Sequence, residues 1–330
     1  MNTAKDALKN GWHRAWPWLR KIAPWALALL VLVLLAQQVR HIDWGEVWQA
    51  LLQQSPMAMA LAAAMALLSY ALVASYDLVG RHETQHGVPL ARCLRIAGTC
   101  YAFNLNFGSL VGGLALKLRL YDAAGLKVGT IARVIALTVT TNWLGFLLVA
   151  GLVLCLAPPP MPPQVPMSDL AVRALGVLMA LLALAYVLWC AAGRKRRSFC
   201  IRGHAFELPS ARVAAWQLAV SSVNWALMAL IVWVLLQQQL PYLAVLGVLL
   251  MAAIAGVVTH VPAGLGVVEA VFLASFAGQM PQGQLLAALL AYRAAYYLFP
   301  LVLATIGFAL GQRRSPAAAS TVHQQPARTS

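Results

Sequence analysis

Eight apolar runs, at 22–39, 57–79, 93–116, 130–156, 170–192, 213–236, 242–259 and 285–310, divide this chain. Each reaches the roughly 17 to 25 residues that a helix needs to cross a bilayer. In hydrocarbon every backbone N–H and C=O must find its partner inside the segment, so such runs fold as helices. Hydrophobic residues make up 62% of the 330-residue chain and charged residues 10%. A soluble domain is about half apolar and a quarter charged. The expected fold is all-α: a polytopic membrane protein of about eight helices, counting broken ones.

The formal net charge of +15 would suggest a nucleic-acid partner in a soluble protein. Here the basic residues lie in short loops between apolar runs, which is the positive-inside pattern, and no nucleic-acid partner is expected. The five cysteines show no CxxC spacing, and neither a metal nor another cofactor is expected. Lys5, Lys9, Arg14, Arg20 and Lys21 precede the first run, which ends in AQQVRH without a small-residue cleavage site. We read it as a retained span. Between the first two runs, Trp44, Trp48, Leu51 and Leu52 share one helical face. That suits either a helix lying at the membrane interface or a loop helix packed on the bundle.

Counting charges fixes an orientation. If 93–116 enters and leaves on one side, 21 of the 24 Lys and Arg residues fall on the cytoplasmic side, against Arg40 and Arg173 outside and Arg293 within a span. If it crosses, 9 lie inside and 14 outside. The first arrangement obeys the positive-inside rule and places both termini in the cytoplasm. Residues 93–116 then form a re-entrant hairpin: Gly108, Gly112 and Gly113 permit the bend, and Asn104 and Asn106 satisfy exposed backbone. A second broken unit follows at 242–279, where THVPAGLGVVEAVF (259–272) combines helix breakers with one carboxylate. Span, span, hairpin, span thus occurs twice, in opposite senses, as in the inverted repeats of transporters. The expected domains are a basic N-terminus (1–21), a transmembrane domain (22–311, with halves 22–157 and 168–311) and a disordered tail (312–330).

Ionisable groups inside a span need partners. At 1.5 Å per residue, Arg293 lies about 12 Å and Glu269 about 15 Å from the same side, so the two can pair or bracket a headgroup. Pro262, Gly264 and Gly266 start the helix that carries Glu269, and such a start favours anions. Asn142 and Asn224, each followed by Trp, serve either as interhelical glue or as the lining of a polar path. Tyr296 flanks Arg293 in that path or packs. Asp77 is expected to form a surface pair with Arg81, one turn on. Arg194, Lys195, Arg196 and Arg197 serve as an orientation signal or an anionic-lipid contact. The sequence holds no Walker A or GxSxG motif.

YAFNLNFGSLVGG (101–113), KLRLYDAAGL (117–126), TTNWLG (140–145), SSVNW (221–225), HVPAGLGVVEAVF (260–272) and ALLAYRAAYYLFPL (288–301) carry a resemblance. From about residue 20 to 312 the chain resembles the flippase-like transmembrane region of lysyl-phosphatidylglycerol synthases, in the stand-alone form found in bacterial inner membranes. The family's PGGLG-type motif reads PAGLG here, with Ala263 replacing a glycine. The resemblance implies translocation of a membrane phospholipid or lipid-linked headgroup between leaflets, without enzyme activity, because the sequence ends in a short tail where longer members carry a synthase domain. Glu269 and Arg293 would then be the charged centre, and Asn104, Asn106, Asn142 and Asn224 the path. Two other readings stay open: a non-transporting partner of a lipid-modifying enzyme, and a lipid transferase using Glu269 as base beside His260.

Overall fold

A computed structural model describes residues 44–160, 168–192, 198–201, 204–259, 261 and 264–313. The expected first span, the proline-rich loop centre, Arg194–Arg197, His260, Pro262, Ala263 and the tail beyond Arg313 lie outside the described residues. Within them the helices are α1 (Trp44–Leu52), α2 (Pro56–Thr84), α3 (Leu90–Phe107), α4 (Leu116–Asp122), α5 (Val128–Leu156), α6 (Asp169–Ala192), α7 (Ala211–Leu235), α8 (Tyr242–Thr259), α9 (Val267–Ser275), α10 (Gln282–Tyr292) and α11 (Phe299–Arg313). Two π-helical turns, Ser109–Ala115 and Arg293–Leu298, join α3 to α4 and α10 to α11. A small antiparallel ribbon, Ser198–Ile201 with His204–Glu207, sits between α6 and α7. Six described helical stretches are long and apolar enough to cross a membrane: α2, α5, α6, α7, α8 and the continuous Gln282–Leu310. The molecule is an all-α polytopic membrane protein.

The core gathers α2, α5, α7, α8, α9 and α10, with Ile231, Val232, Leu235, Val245, Phe272, Leu285 and Leu289 fully buried. Helices meet closely where glycine lets backbones approach. A Cβ on Gly151 would lie 2.7 Å from the Gly176 carbonyl oxygen, which brings α5 against α6. Gly145 is crowded by Ser221 of α7 in the same way. α6 leaves most of its surface uncovered, with Leu170, Val177, Leu178, Leu181, Leu182 and Leu188 exposed, as expected of a helix facing lipid. α1 packs on α10 through buried Val47 and partly buried Leu51, while Trp48 and Leu52 stay exposed. Of the expected stripe Leu51 thus packs inward, beside Val47, whereas Trp48 and Leu52 do not.

Both expected broken units are present. α3 stops at Gly108, whose φ of +84° only glycine adopts without strain. The chain then folds back on α3 so tightly that a Cβ on Gly112 would overlap the Phe103 carbonyl. This return leg runs on through α4 to Asp122, past the expected end at 116. In the second unit α8 and α9 pack together across a bend with Gly264 at φ +56° and Gly266 at φ +76°. α9 has only 9 residues, about 13 Å at helical rise, well short of a hydrocarbon core.

The π-turn at Arg293–Leu298 has a local cause in Pro300. Proline lacks the N–H that the Tyr296 carbonyl would accept in an α-helix, and its ring clashes with that carbonyl. The unclaimed Tyr296 oxygen instead accepts the Tyr70 hydroxyl at 3.2 Å. The next carbonyl, Tyr297, accepts Asn106 Nδ2 at 3.2 Å. A widened turn in the last span thus becomes the docking point for α2 and for the first hairpin.

Candidate functional site

Two ion pairs occupy the two hairpins, one buried and one nearly so. In the second, Arg293 Nε and Nη2 donate to Glu269 Oε1 and Oε2 at 2.5 and 3.0 Å. Each side chain is 12% exposed. Nη2 also donates to the Gly264 carbonyl at 2.9 Å, and the guanidinium lies 5.2 Å from the Tyr297 ring centre. Glu269 falls in the first turn of α9, where the helix dipole favours a carboxylate. The guanidinium therefore ties the bend, the short helix and the last span at one point. Of the two arrangements that matching depth allows, a direct pair or a shared headgroup, the side chains form the direct pair.

The first hairpin differs from expectation. Asp77 does not pair with Arg81, whose Nε donates to the Val88 carbonyl at 2.9 Å. Asp77 is fully buried: Oδ1 accepts from Lys117 Nζ at 2.5 Å and from Thr138 Oγ1 at 2.7 Å, and Oδ2 accepts from Tyr121 at 2.7 Å. α2 runs to Thr84 and not to 79, so Asp77 lies two turns inside the helix, where a carboxylate must be partnered. Lys117, counted from sequence as a loop charge, is a buried residue of the return leg. Removing it leaves 20 of the 24 basic residues on the side assigned to the cytoplasm, and the charge argument is unchanged. In each hairpin, then, the charge that follows the bend (Lys117 or Glu269) is neutralised by an opposite charge on a long helix.

Between these pairs runs a chain of hydroxyls. The Ser69 hydroxyl donates to Asn224 Oδ1 at 2.6 Å and lies 2.7 Å from the Tyr296 hydroxyl, which lies 2.9 Å from that of Tyr101. Tyr292 stacks on Tyr296 with centroids 5.2 Å apart, and Tyr297 packs edge-on against both. The Tyr76 and Tyr292 hydroxyls are buried without a hydrogen-bond partner among the described residues. The chain joins α2, α3, α7 and the last span. Tyr101 also lines a groove of about 340 Å³ that lies against Asp77 and Lys117.

The expected residues divide accordingly. Asn224, Tyr296, Glu269, Arg293 and Gly264 belong to these networks, and Gly266 starts α9. Asn104 and Gly113 line the groove, and Gly112 holds the hairpin closed. Asn106 pins the hairpin end to Tyr297. Asn142 acts through its carbonyl, which accepts from Ser221 Oγ at 3.1 Å and Trp225 Nε1 at 3.2 Å, binding α5 to α7. Sequence reasoning missed Ser69, Tyr70, Tyr101, Lys117, Tyr121 and Thr138. A carboxylate within an apolar helix was the available signal, because it demands a cation within reach. Among the described residues no cluster of three or more His, Cys, Asp or Glu could hold a metal ion.

A family model described as the lysylphosphatidylglycerol synthase TM region matches residues 22–304. The chain belongs to that family. It is 40% identical over 299 residues to the inner membrane protein YbhN of Escherichia coli, covering 90% of this chain and 94% of that protein. An uncharacterised protein of Synechocystis is 30% identical over 295 residues, covering 87% and 91%. Similarity to a phosphatidylglycerol lysyltransferase of Staphylococcus haemolyticus is 33% over 91 residues, 26% of this chain and 11% of that protein. With its membrane-crossing helices, the family member described here is a multi-pass protein of the inner membrane.

Proposed function

We propose that this protein moves a phospholipid or lipid-linked headgroup between the leaflets of the inner membrane, and that it is not an enzyme. The observation that carries the reading is the placement of one neutralised charge pair in each hairpin, with a chain of buried hydroxyls between them. A structural ion pair alone needs no such chain, because buried polar groups are costly unless they serve one another or a substrate. A headgroup crossing the bilayer needs a succession of hydrogen-bond partners while its acyl chains stay in lipid, and tyrosine hydroxyls offer both donor and acceptor. Alternating access would come from the hairpins shifting against the long helices, with termini on the cytoplasmic side and halves 22–157 and 168–311 as the moving units.

A transferase reading loses support from the site, since Glu269, its required base, is held in two bonds by Arg293. A role as a non-transporting partner of a lipid-modifying enzyme draws on the short similarity to a lysyltransferase, and co-purification with such an enzyme would test it. The decisive assay is leaflet-resolved labelling of fluorescent phospholipids and lipid-linked precursors in reconstituted vesicles. We expect faster exchange than in protein-free vesicles. No acceleration for any of them would overturn the transport reading.

A further inference from the structure

The groove between the first hairpin and α5 has the composition of a lipid site with a definite charge preference. α2 forms its floor with Val73 and Asp77. One wall is α3 and the return leg (Ala97, Tyr101, Asn104, Ser109, Leu114, Lys117), and the other is Ile135, Thr138 and Val139 of α5. Leu114 and Val139, at the rim, are 41% and 50% exposed. The mouth thus opens sideways among apolar side chains, where acyl chains would lie. The polar end holds one acid and one base. Lys117 has three N–H donors, of which two reach Asp77 and Thr138. Asn104 and Ser109 add an amide and a hydroxyl to the same wall as Lys117.

Charge bookkeeping selects the guest. Asp77 and Lys117 are the charged residues that line the groove, so it is neutral as a whole. An anionic or cationic headgroup would leave one net charge in a low dielectric, which is costly. A headgroup carrying both phosphate and ammonium leaves none. Its phosphate can take Lys117, Asn104 and Ser109, its ammonium can take Asp77, and both protein charges stay paired throughout. We propose that this groove binds a zwitterionic glycerophospholipid of the phosphoethanolamine type, with its acyl chains leaving past Leu114 and Val139. The proposal rests on the lipid-handling reading above and names the class of lipid held.

The test measures binding, not transport. Native mass spectrometry or saturable thermal stabilisation of the purified full chain in detergent would compare dioctanoyl phosphatidylethanolamine with dioctanoyl phosphatidylglycerol. O-phosphoethanolamine, which has no acyl chains, would be the third probe. We expect the ethanolamine lipid to bind about tenfold or more tighter than the glycerol lipid, as one uncompensated charge implies, and the acyl-free probe to bind weakly. Val139→Trp fills the mouth from an exposed position, so folding is spared, and it should abolish the saturable binding. Asp77→Asn with Lys117→Met should erase the preference between the lipids. Equal binding of the two lipids by the native chain would overturn the proposal, as would undiminished binding by Val139→Trp. Equal binding of the acyl-free probe would overturn the lipid assignment. A protein that translocates lipid without this preference refutes the groove and leaves transport standing. Preferential binding without translocation does the reverse.

Discussion

Breaking the Glu269–Arg293 pair from either side should be costly. With both side chains nearly buried, removing one partner leaves an uncompensated charge, worth about 3–5 kcal/mol. Glu269→Gln and Arg293→Met should each lose on that order, whereas the double variant should lose clearly less than the sum, because no charge is stranded. Reversing the charges restores attraction but not the site. A glutamate at 293 cannot donate to the Gly264 carbonyl, which forfeits a charged hydrogen bond of about 1.5–3 kcal/mol. An arginine at 269 would oppose the α9 dipole, costing roughly a further 0.3–1 kcal/mol. The swapped protein should therefore remain well below the native one while exceeding the worse single variant. Reversible unfolding of the four variants in mixed micelles would measure this. Additive losses with no coupling between the positions would refute direct pairing as a source of stability.

Three further outcomes follow from the same geometry. Asp77→Asn or Lys117→Met alone should destabilise by about 3–5 kcal/mol, and the double substitution should recover most of it in the same unfolding assay. Gly112→Ala forces a Cβ into the Phe103 carbonyl and should open the hairpin, read as faster amide exchange across 103–117. Gly98→Ala on α3 meets open space and should exchange like the native protein. Tyr296→Phe strands the Tyr101 hydroxyl and leaves Ser69 only Asn224; it should cost about 1–3 kcal/mol, with loss of lipid exchange in vesicles if the hydroxyl chain is the path.

Much of the fold was legible because lipid leaves the backbone few choices. Apolar run length gave the long helices, and the glycines at 108, 112 and 113 marked a reversal that the structure places at Gly108. Glu269 and Arg293 were legible as partners because matching depth is a one-dimensional quantity that helical rise supplies. Asp77 and Lys117 were not. Their pairing depends on a return leg that continues past 116 and on α2 outlasting its apolar stretch, and neither is written in hydropathy. The hydroxyl chain was invisible for another reason. Ser69, Tyr101 and Tyr296 sit on three separate elements, and nothing in their local sequences distinguishes a tyrosine that meets another from one that merely packs. Pro300 was the missed clue: a proline inside a span announces an unclaimed carbonyl four residues earlier, and at Tyr296 the fold converges on it.

That convergence gives the bundle a particular kind of joint. An ion pair anchors each hairpin to a long helix, where separation is expensive. At the centre, Ser69, Tyr70, Tyr101 and Tyr296 meet through hydroxyls and one stranded carbonyl. A hydroxyl can trade donor for acceptor by rotating about one bond, so these contacts can reverse direction without any helix having to move. The ion pairs fix the hairpins as latches, while the hydroxyl contacts between them are the ones that can reverse in place.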